Sequence, residues 1–407
     1  MQSLLSPASQ EVVRATAGVV AENMVKITSH FYPRMFADRP DLLNVFNRAD
    51  QAVGEQAQAL AASVVAYAVQ LIDPDAPSFE PVLDRIAHKH VSLGIRAEQY
   101  TIVGRHLMAA IGEVLGDAVT PEVAAAWDEV YWLLAMQLAA AEARLYALGG
   151  VDPAQPWRDY RVAERRDEVP GEVITLVLAP VDGQPVPQHR AGQYVTINAA
   201  LSDGSTQPRQ YTLSGAARPD TMQVTIRRVR GTADTPAGMI SNLLHDDTPV
   251  GTILQVSIPC GDVYVDDSDS PVMLVSAGVG VTPMAAILED LAQRAPHRPV
   301  ILAHADRSAA SHPLHDSMSA TAASMDSVAA HCWYEQADES ASARGAHTGF
   351  MDLSVVEVPA DVRVYMCGPL PFMREARRTL LDRGIPADHI RYEVFGPDLW
   401  AQNPDAA

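Results

Sequence analysis

Along residues 1–148, apolar positions recur at the three- and four-residue spacing of amphipathic helices, and the runs break at Pro7, Pro40, Pro74, Pro77 and Pro121. The spacing predicts helix throughout. Ser6-Pro7 and Thr120-Pro121 read as helix starts, each a hydroxyl cap followed by a proline in the first turn. The most apolar helix carries "YWLLAMQLAAA" at 131–141, between Asp128 and Glu129 on one side and Glu142 and Arg144 on the other. It is too short to span a bilayer and reads as a buried helix. "GGVDPAQP" at 149–156 breaks the pattern as a linker would. From residue 157 the period changes. "EVITLVLAPV", "GQYVTINAAL", "RQYTLSG", "MQVTIRRV" and "TILQVSIP" are short β-rich runs parted by turn residues, and they predict a small antiparallel barrel or sandwich. From about residue 270 strands and helices alternate, as in "PVMLVSAG", "TPMAAILEDLAQR", "PVILAHA" and "VRVYMCGP", which predicts a parallel sheet with crossover helices.

Composition narrows this picture. A length of 407 residues suits a multidomain chain. The net charge of −20 argues against nucleic acid or an anionic membrane surface as a partner. Cys260, Cys332 and Cys367 are far apart and form no CxxC, so neither a disulfide framework nor a zinc site is expected, and a reducing, cytoplasmic setting is. The first residues lack the charged and apolar regions of a signal peptide.

Candidate chemistry begins at "IAHKHVSLGI", residues 86–95. Counting back along one helical face from His90 gives Ala87, Ile86 and Leu83; from His88 it gives Arg85 and Asp84. His90 therefore lies on the apolar face and His88 on the wet one. An imidazole there needs a partner for a ring nitrogen, so His90 is either a core histidine bonded to a carbonyl or a metal ligand.

The later motifs point to a dinucleotide. Gly278, Gly280, Thr282 and Pro283 lie between a buried strand and a helix, where glycines let a pyrophosphate approach the backbone and the helix N-terminus favours its charge. Cys367, Gly368 and Pro369 repeat that form at another strand end; Cys367 has no evident general base nearby and is not expected to be a nucleophile. Arg209 beside Tyr211 on a strand suits a phosphate and a flat ring, and Ser241 with nearby backbone N–H groups could cap another phosphate. After "PVILAHA" the chain offers both Asp306 and Arg307, and an arginine there could accept a 2′-phosphate.

Over residues 157–397 these motifs resemble the ferredoxin–NADP reductase family, through Arg209-x-Tyr211-Thr212, the Gly278-to-Pro283 turn and the Cys367-to-Pro369 turn. With His90 in front of them, and with Tyr32, Phe46, Gln56 and Leu60 matching a globin pattern, the whole chain resembles the flavohaemoglobins. The resemblance implies an all-α globin domain (1–148), a linker (149–156), an antiparallel β-barrel FAD domain (157–266) and an α/β NAD(P)-binding domain (267–407). It implies haem b, FAD and NAD(P)H as cofactors. His90 would be the proximal haem ligand, Tyr32 and Gln56 would face O2, and Phe46 and Leu60 would pack on the haem and line the gas site. Tyr100 and Glu142 would make the proximal histidine more basic, which favours O2 activation over carriage. Tyr194, Arg209, Gln210, Tyr211, Thr212, Gly238, Ser241, Val394, Phe395, Gly396 and Pro397 would hold FAD. Gly278, Val279, Gly280, Val281, Thr282, Pro283, Cys367, Gly368 and Pro369 would hold the nicotinamide coenzyme, and Lys89 and Glu393 would tune electron transfer. The implied activity is nitric oxide dioxygenation by a monomer, with O2 and NO as substrates. Hydroperoxide reduction and an O2 sensor or carrier are the alternatives. Two positions depart from the pattern: Thr212 stands where serine is commoner, and Ala191 where proline is usual.

Overall fold

The computed structural model describes residues 4–45, 55–232, 236–337, 339–343 and 345–395. Phe46, Gly396 and Pro397 lie outside the described residues, and Gln56 is described only as part of a helix. The chain divides into two compact units, one built from Met1–Trp157 with residues 198–209, the other from Arg158–Ile197 with Gln210–Phe395.

Among the described residues of the first unit five α-helices follow one another: α1 (Pro7–Asp38), α2 (Glu55–Ile72), α3 (Glu80–Ser92), α4 (Gln99–Leu115) and α5 (Pro121–Leu148). The two expected caps are present. Ser6 Oγ accepts from Ser9 N at 3.3 Å, Thr120 Oγ1 accepts from Val123 N at 3.3 Å, and the prolines occupy the position whose N–H would have no partner. α1 packs on α2, α4 and α5, and α3 packs on α5. One core joins them, with Phe31, Met35, Leu107, Trp127 and Val130 at 1% exposure or less. Gly104 sets the α4–α5 approach: a Cβ there would run into the Tyr131 ring. No described helix is long and apolar enough to cross a membrane.

The first sheet is antiparallel, in the order β4-β3-β6-β1-β2-β5, with β1 Arg158–Val169, β2 Val173–Pro180, β3 Tyr194–Ala200, β4 Thr206–Thr212, β5 Met222–Arg227 and β6 Ile253–Val256. An antiparallel bridge between Leu213, just past β4, and Val224 of β5 joins the two ends of that order. A helix, α6 (Met239–Asp246), follows β5.

The second sheet is parallel, in the order β10-β9-β8-β7-β11-β12. Its central strands are β7 (Val272–Ala277), β8 (Val300–Asp306) and β11 (Arg363–Cys367); β9 (Val328–Tyr334), β10 (His347–Thr348) and β12 (Ile390–Glu393) lie outside them. β7 and β11 are buried along nearly their whole length, which is why they read as unbroken apolar runs. Helix α7 (Val281–Arg294) follows β7, α8 (His315–Ala322) follows β8, and α9 (Leu370–Asp382) follows β11. The strand order reverses between β7 and β11, and a doubly wound sheet opens a crevice for a ligand at such a point.

Candidate active site

In the first unit the site centres on His90, two residues before the end of α3, with its side chain 30% exposed. Leu83 and Ala87 of the same face are buried, as the helical count predicts. Nδ1 of His90 lies 2.8 Å from Glu142 Oε1 and 2.9 Å from the Tyr100 hydroxyl. The Tyr100 hydroxyl donates to the same carboxylate oxygen at 2.5 Å. Three helices thus deliver one residue each: α3 the imidazole, α4 the phenol and α5 the acid.

The acid is the costly member. Glu142 is 2% exposed, and an ionised carboxylate that deep is tolerated only with partners. Burial, and then the neighbouring Glu142 charge, push the Tyr100 phenol well above its ordinary range, so Tyr100 stays a neutral donor. Both contacts of the imidazole fall on Nδ1. With its proton committed to Glu142, the Nε2 lone pair is the one open to a metal, which fits the ring to ligation through Nε2. Sequence pattern alone would set Glu142 on the outside of its helix; the packing turns it inward.

Tyr32 lies on α1 and is buried at 7% exposure, stacked on Phe36 with ring centroids 5.9 Å apart. Burial pushes its phenol up and keeps it protonated. Leu60 of α2 packs half-buried against the same core. Lys89 occupies the turn of α3 beside His90.

In the second unit the two glycine-bearing strand ends meet. Gly278–Gly280 forms a tight turn after β7, and Thr282 and Pro283 begin α7. Gly278 has φ +54°, the left-handed region that favours glycine. Gly280 is needed for space: a Cβ there would overlap the Cys367 carbonyl oxygen and lie 2.9 Å from the Gly368 Cα. The turns after β7 and β11 are therefore in backbone contact, one on each side of the point where strand order reverses. Cys367 is fully buried and its thiol is raised well above the ordinary range by burial, then by the Glu393 charge. That agrees with the expectation that it is no nucleophile.

These turns open onto a cleft of about 950 Å³, lined by Val279, Pro369, Val394 and Phe395, with Asp306 and Arg307 further along. Tyr194 starts β3, exchanging backbone hydrogen bonds of 2.7 and 2.8 Å with Cys260, and its ring lies against Gly261. On β4, Arg209 and Tyr211 share one face while Thr212 is buried. Ser241 differs from expectation. Its hydroxyl already accepts from Val229 N and donates to the Gly238 carbonyl, both at 3.1 Å, so this segment offers a ligand its backbone N–H groups rather than that hydroxyl.

Two features escaped the sequence reading. The guanidinium of Arg227 reaches over the first glycine turn, with Nη1 3.4 Å from where a Gly278 Cβ would stand. The only signal was an arginine-rich run, "IRRVR", in an acidic chain. The other is a buried stack of His304, on β8, against His312, centroids 3.8 Å apart; a strand residue and a loop residue eight positions on give no pattern to read.

Comparison with known proteins follows the same division. A globin family model matches residues 29–138, and an oxidoreductase NAD-binding domain model matches residues 274–378. A flavohemoprotein of Bordetella parapertussis is 41% identical over 97% of this chain and 99% of its own length. Another, from Rhizobium meliloti, is 40% identical over 98% of this chain and 100% of its own length. The crystal structure of a flavohemoglobin from Malassezia yamatoensis, with bound FAD and haem, superposes with TM-score 0.86 at 34% identity, covering 96% of this chain and 100% of that one. The FAD/NAD-binding domain of a nitric oxide dioxygenase from Vibrio cholerae is 33% identical and covers 59% of this chain and 99% of its own, with TM-score 0.54. With relatives of this identity matched over nearly the whole length, the chain belongs to the flavohemoprotein family.

Proposed function

We propose that this chain is an NAD(P)H-dependent nitric oxide dioxygenase that binds haem b and FAD and oxidises NO with O2 to nitrate. The observation that carries the reading is the His90–Tyr100–Glu142 cluster, because a carboxylate at Nδ1 makes an imidazole a strong donor through Nε2. Between them, bound coenzyme, FAD and haem supply hydride donation, its division into single electrons, and activation of O2.

The chain's own residues do the rest. His90 holds the haem iron through Nε2, with Glu142 fixing its tautomer and Tyr100 fixing the carboxylate. Tyr32, a neutral phenol, donates a hydrogen bond to substrate O2, and Leu60 keeps the pocket apolar; the family pattern assigns Gln56 to O2 and Phe46 to the haem. Tyr194, Arg209, Gln210, Tyr211, Thr212 and the Gly238–Ser241 segment hold FAD, together with Val394, Phe395, Gly396 and Pro397. Gly278–Pro283 and Cys367–Pro369 present backbone to the coenzyme pyrophosphate and nicotinamide. Lys89 and Glu393 tune the electron path by their charge. Residues 1–148, 157–266 and 267–407 form the haem, FAD and coenzyme domains, and the chain acts as a cytoplasmic monomer on small molecules.

The test is the absorption spectrum of the purified protein before and after anaerobic NAD(P)H, with NO consumption measured alongside. Haem and flavin bands, both changing on NAD(P)H, are expected. In His90→Ala the haem band and NO consumption are expected to vanish; full NO consumption in that variant would sink the assignment.

A further inference from the structure

The chain carries a net charge of −20, yet one pocket of about 380 Å³ is lined by Arg227, Arg228, Arg230 and Arg307, with Glu172 as its one acid. Such a basic island in an acidic protein is an anion site by composition. It is continuous with the coenzyme cleft, because Arg227 and Arg307 line both. Arg227 stands over the Gly278 turn, where a pyrophosphate would lie, and has no carboxylate partner among the described residues. Arg307 stands at the end of the neighbouring strand β8, where the adenosine ribose of a dinucleotide falls.

The acid at that strand end is committed elsewhere. Asp306 Oδ1 accepts from Arg307 N and Ser311 Oγ, both at 2.7 Å, and its side chain is only 7% exposed. It is therefore poorly placed to receive the 2′-hydroxyl that distinguishes NADH. Arg307 is 55% exposed and pairs with Glu172, from the turn between β1 and β2, at 2.7 Å. Arg228 is matched by Asp246 at 2.6 Å, and Arg230 donates to the Gly171 carbonyl at 3.0 Å. The charge left over sits at Arg227 and Arg230, while Arg307 is shared with Glu172.

We propose that this pocket receives the 2′-phosphate of NADPH, which displaces Glu172 from Arg307, and that the chain therefore selects NADPH over NADH. The inference rests on the oxidoreductase reading above and names the coenzyme for that same cleft. Glu172 is its regulator: it holds Arg307 in place in the free protein and competes with the incoming phosphate.

The experiment is the rate of flavin reduction in the holoprotein by NADPH and by NADH, in wild type, Arg307→Ala and Glu172→Gln. Wild type is expected to favour NADPH in kcat/KM. Arg307→Ala should lower the NADPH-to-NADH ratio roughly ten- to a hundredfold, the range for losing a charge-assisted bond. Glu172→Gln should raise that ratio, through KM. Adenosine 2′,5′-bisphosphate should inhibit more strongly than adenosine 5′-phosphate, and Arg307→Ala should abolish the difference. A wild-type preference for NADH, or an unchanged ratio in Arg307→Ala, overturns the proposal, and a lowered ratio in Glu172→Gln overturns the role of that acid. If neither coenzyme bleaches the flavin band, the oxidoreductase reading fails and takes this inference with it.

Discussion

At the scale of single residues, Glu142 decides most. It is a 2%-exposed acid that accepts from both an imidazole and a phenol. Glu142→Gln keeps the shape and removes the charge: its carbonyl oxygen can still accept from both donors, but without the negative charge that makes the imidazole more basic. We expect NO turnover per haem to fall roughly ten- to a hundredfold, as for other residues that orient a metal ligand. Circular dichroism should show the fold intact; wild-type turnover in a haem-loaded Glu142→Gln would refute the role. His90 was legible in sequence because Leu83, Ile86 and Ala87 mark its face. Glu142 was legible only through family resemblance. Helical periodicity sorts apolar from polar positions, so a functional acid that must be buried breaks the rule used to find it. Arg307 was visible but not placed, because the partner that marks its pocket, Glu172, is 135 residues away.

Among the elements, the strand ends carry the argument. Gly280 has an ordinary φ of −61°, so its need for glycine is steric rather than conformational. Gly280→Ala would press a methyl group onto the Cys367 carbonyl, forcing apart the turns after β7 and β11. Overpacking of this kind costs about 1–3 kcal/mol. We expect NAD(P)H-driven flavin reduction to fall at least tenfold with haem content unchanged, and equal rates would show that the turns can part freely. The glycines themselves were plain in sequence; their mutual contact was not, because 87 residues of chain separate Gly280 from Cys367.

The end of β8 adds a pH dependence. Burial lowers the His304 imidazole below 6.5, partly opposed by Asp306; burial, then His304 and His315, lower His312 well below that value. A base with a depressed folded-state pKa resists protonation only when folded. Below about pH 6.5 the unfolded chain takes up protons that the folded chain refuses, so stability is complete above that pH and declines as pH falls. His304 also meets the Ser276 hydroxyl at 2.8 Å, and His312 the Tyr334 hydroxyl at 2.9 Å; among the described residues Asp306 is the acid that faces the ring stack. The thermal transition of the second unit should therefore move down on acidification, and less so in His312→Phe. Identical pH profiles for the two proteins would remove the stack as the cause.

For the molecule as a whole, composition and topology were the most legible properties. The change of period near residue 157 announced the β-rich half, and the alternation from about residue 270 announced the parallel sheet. The bridge from Leu213 to Val224 was not legible, since one pair of residues leaves no periodic trace. Charge gives a prediction at this scale. The coenzyme is an anion approaching a −20 protein through a cluster of arginines, whereas O2 and NO carry no charge. Raising salt from about 0.1 to 1 M shortens the screening length from about 10 to 3 Å. The KM for NADPH should rise over that range, while the dependence on O2 and NO stays flat. A KM indifferent to salt would mean that the arginines take no part in capture.

The distance along the chain between His90 and its acid has a consequence for biosynthesis. Glu142 is made 52 residues after the imidazole it orients. At about 5–20 residues per second, a ribosome needs several seconds to cover that interval. Throughout it, the nascent imidazole has neither its carboxylate nor the helix that seats it, and it can meet any soft cation in the cell. On the proposed role of His90 as haem ligand, stable capture of the prosthetic group waits for the helix that carries Glu142 to leave the ribosome, and metal selectivity is acquired late rather than inherited from the imidazole itself.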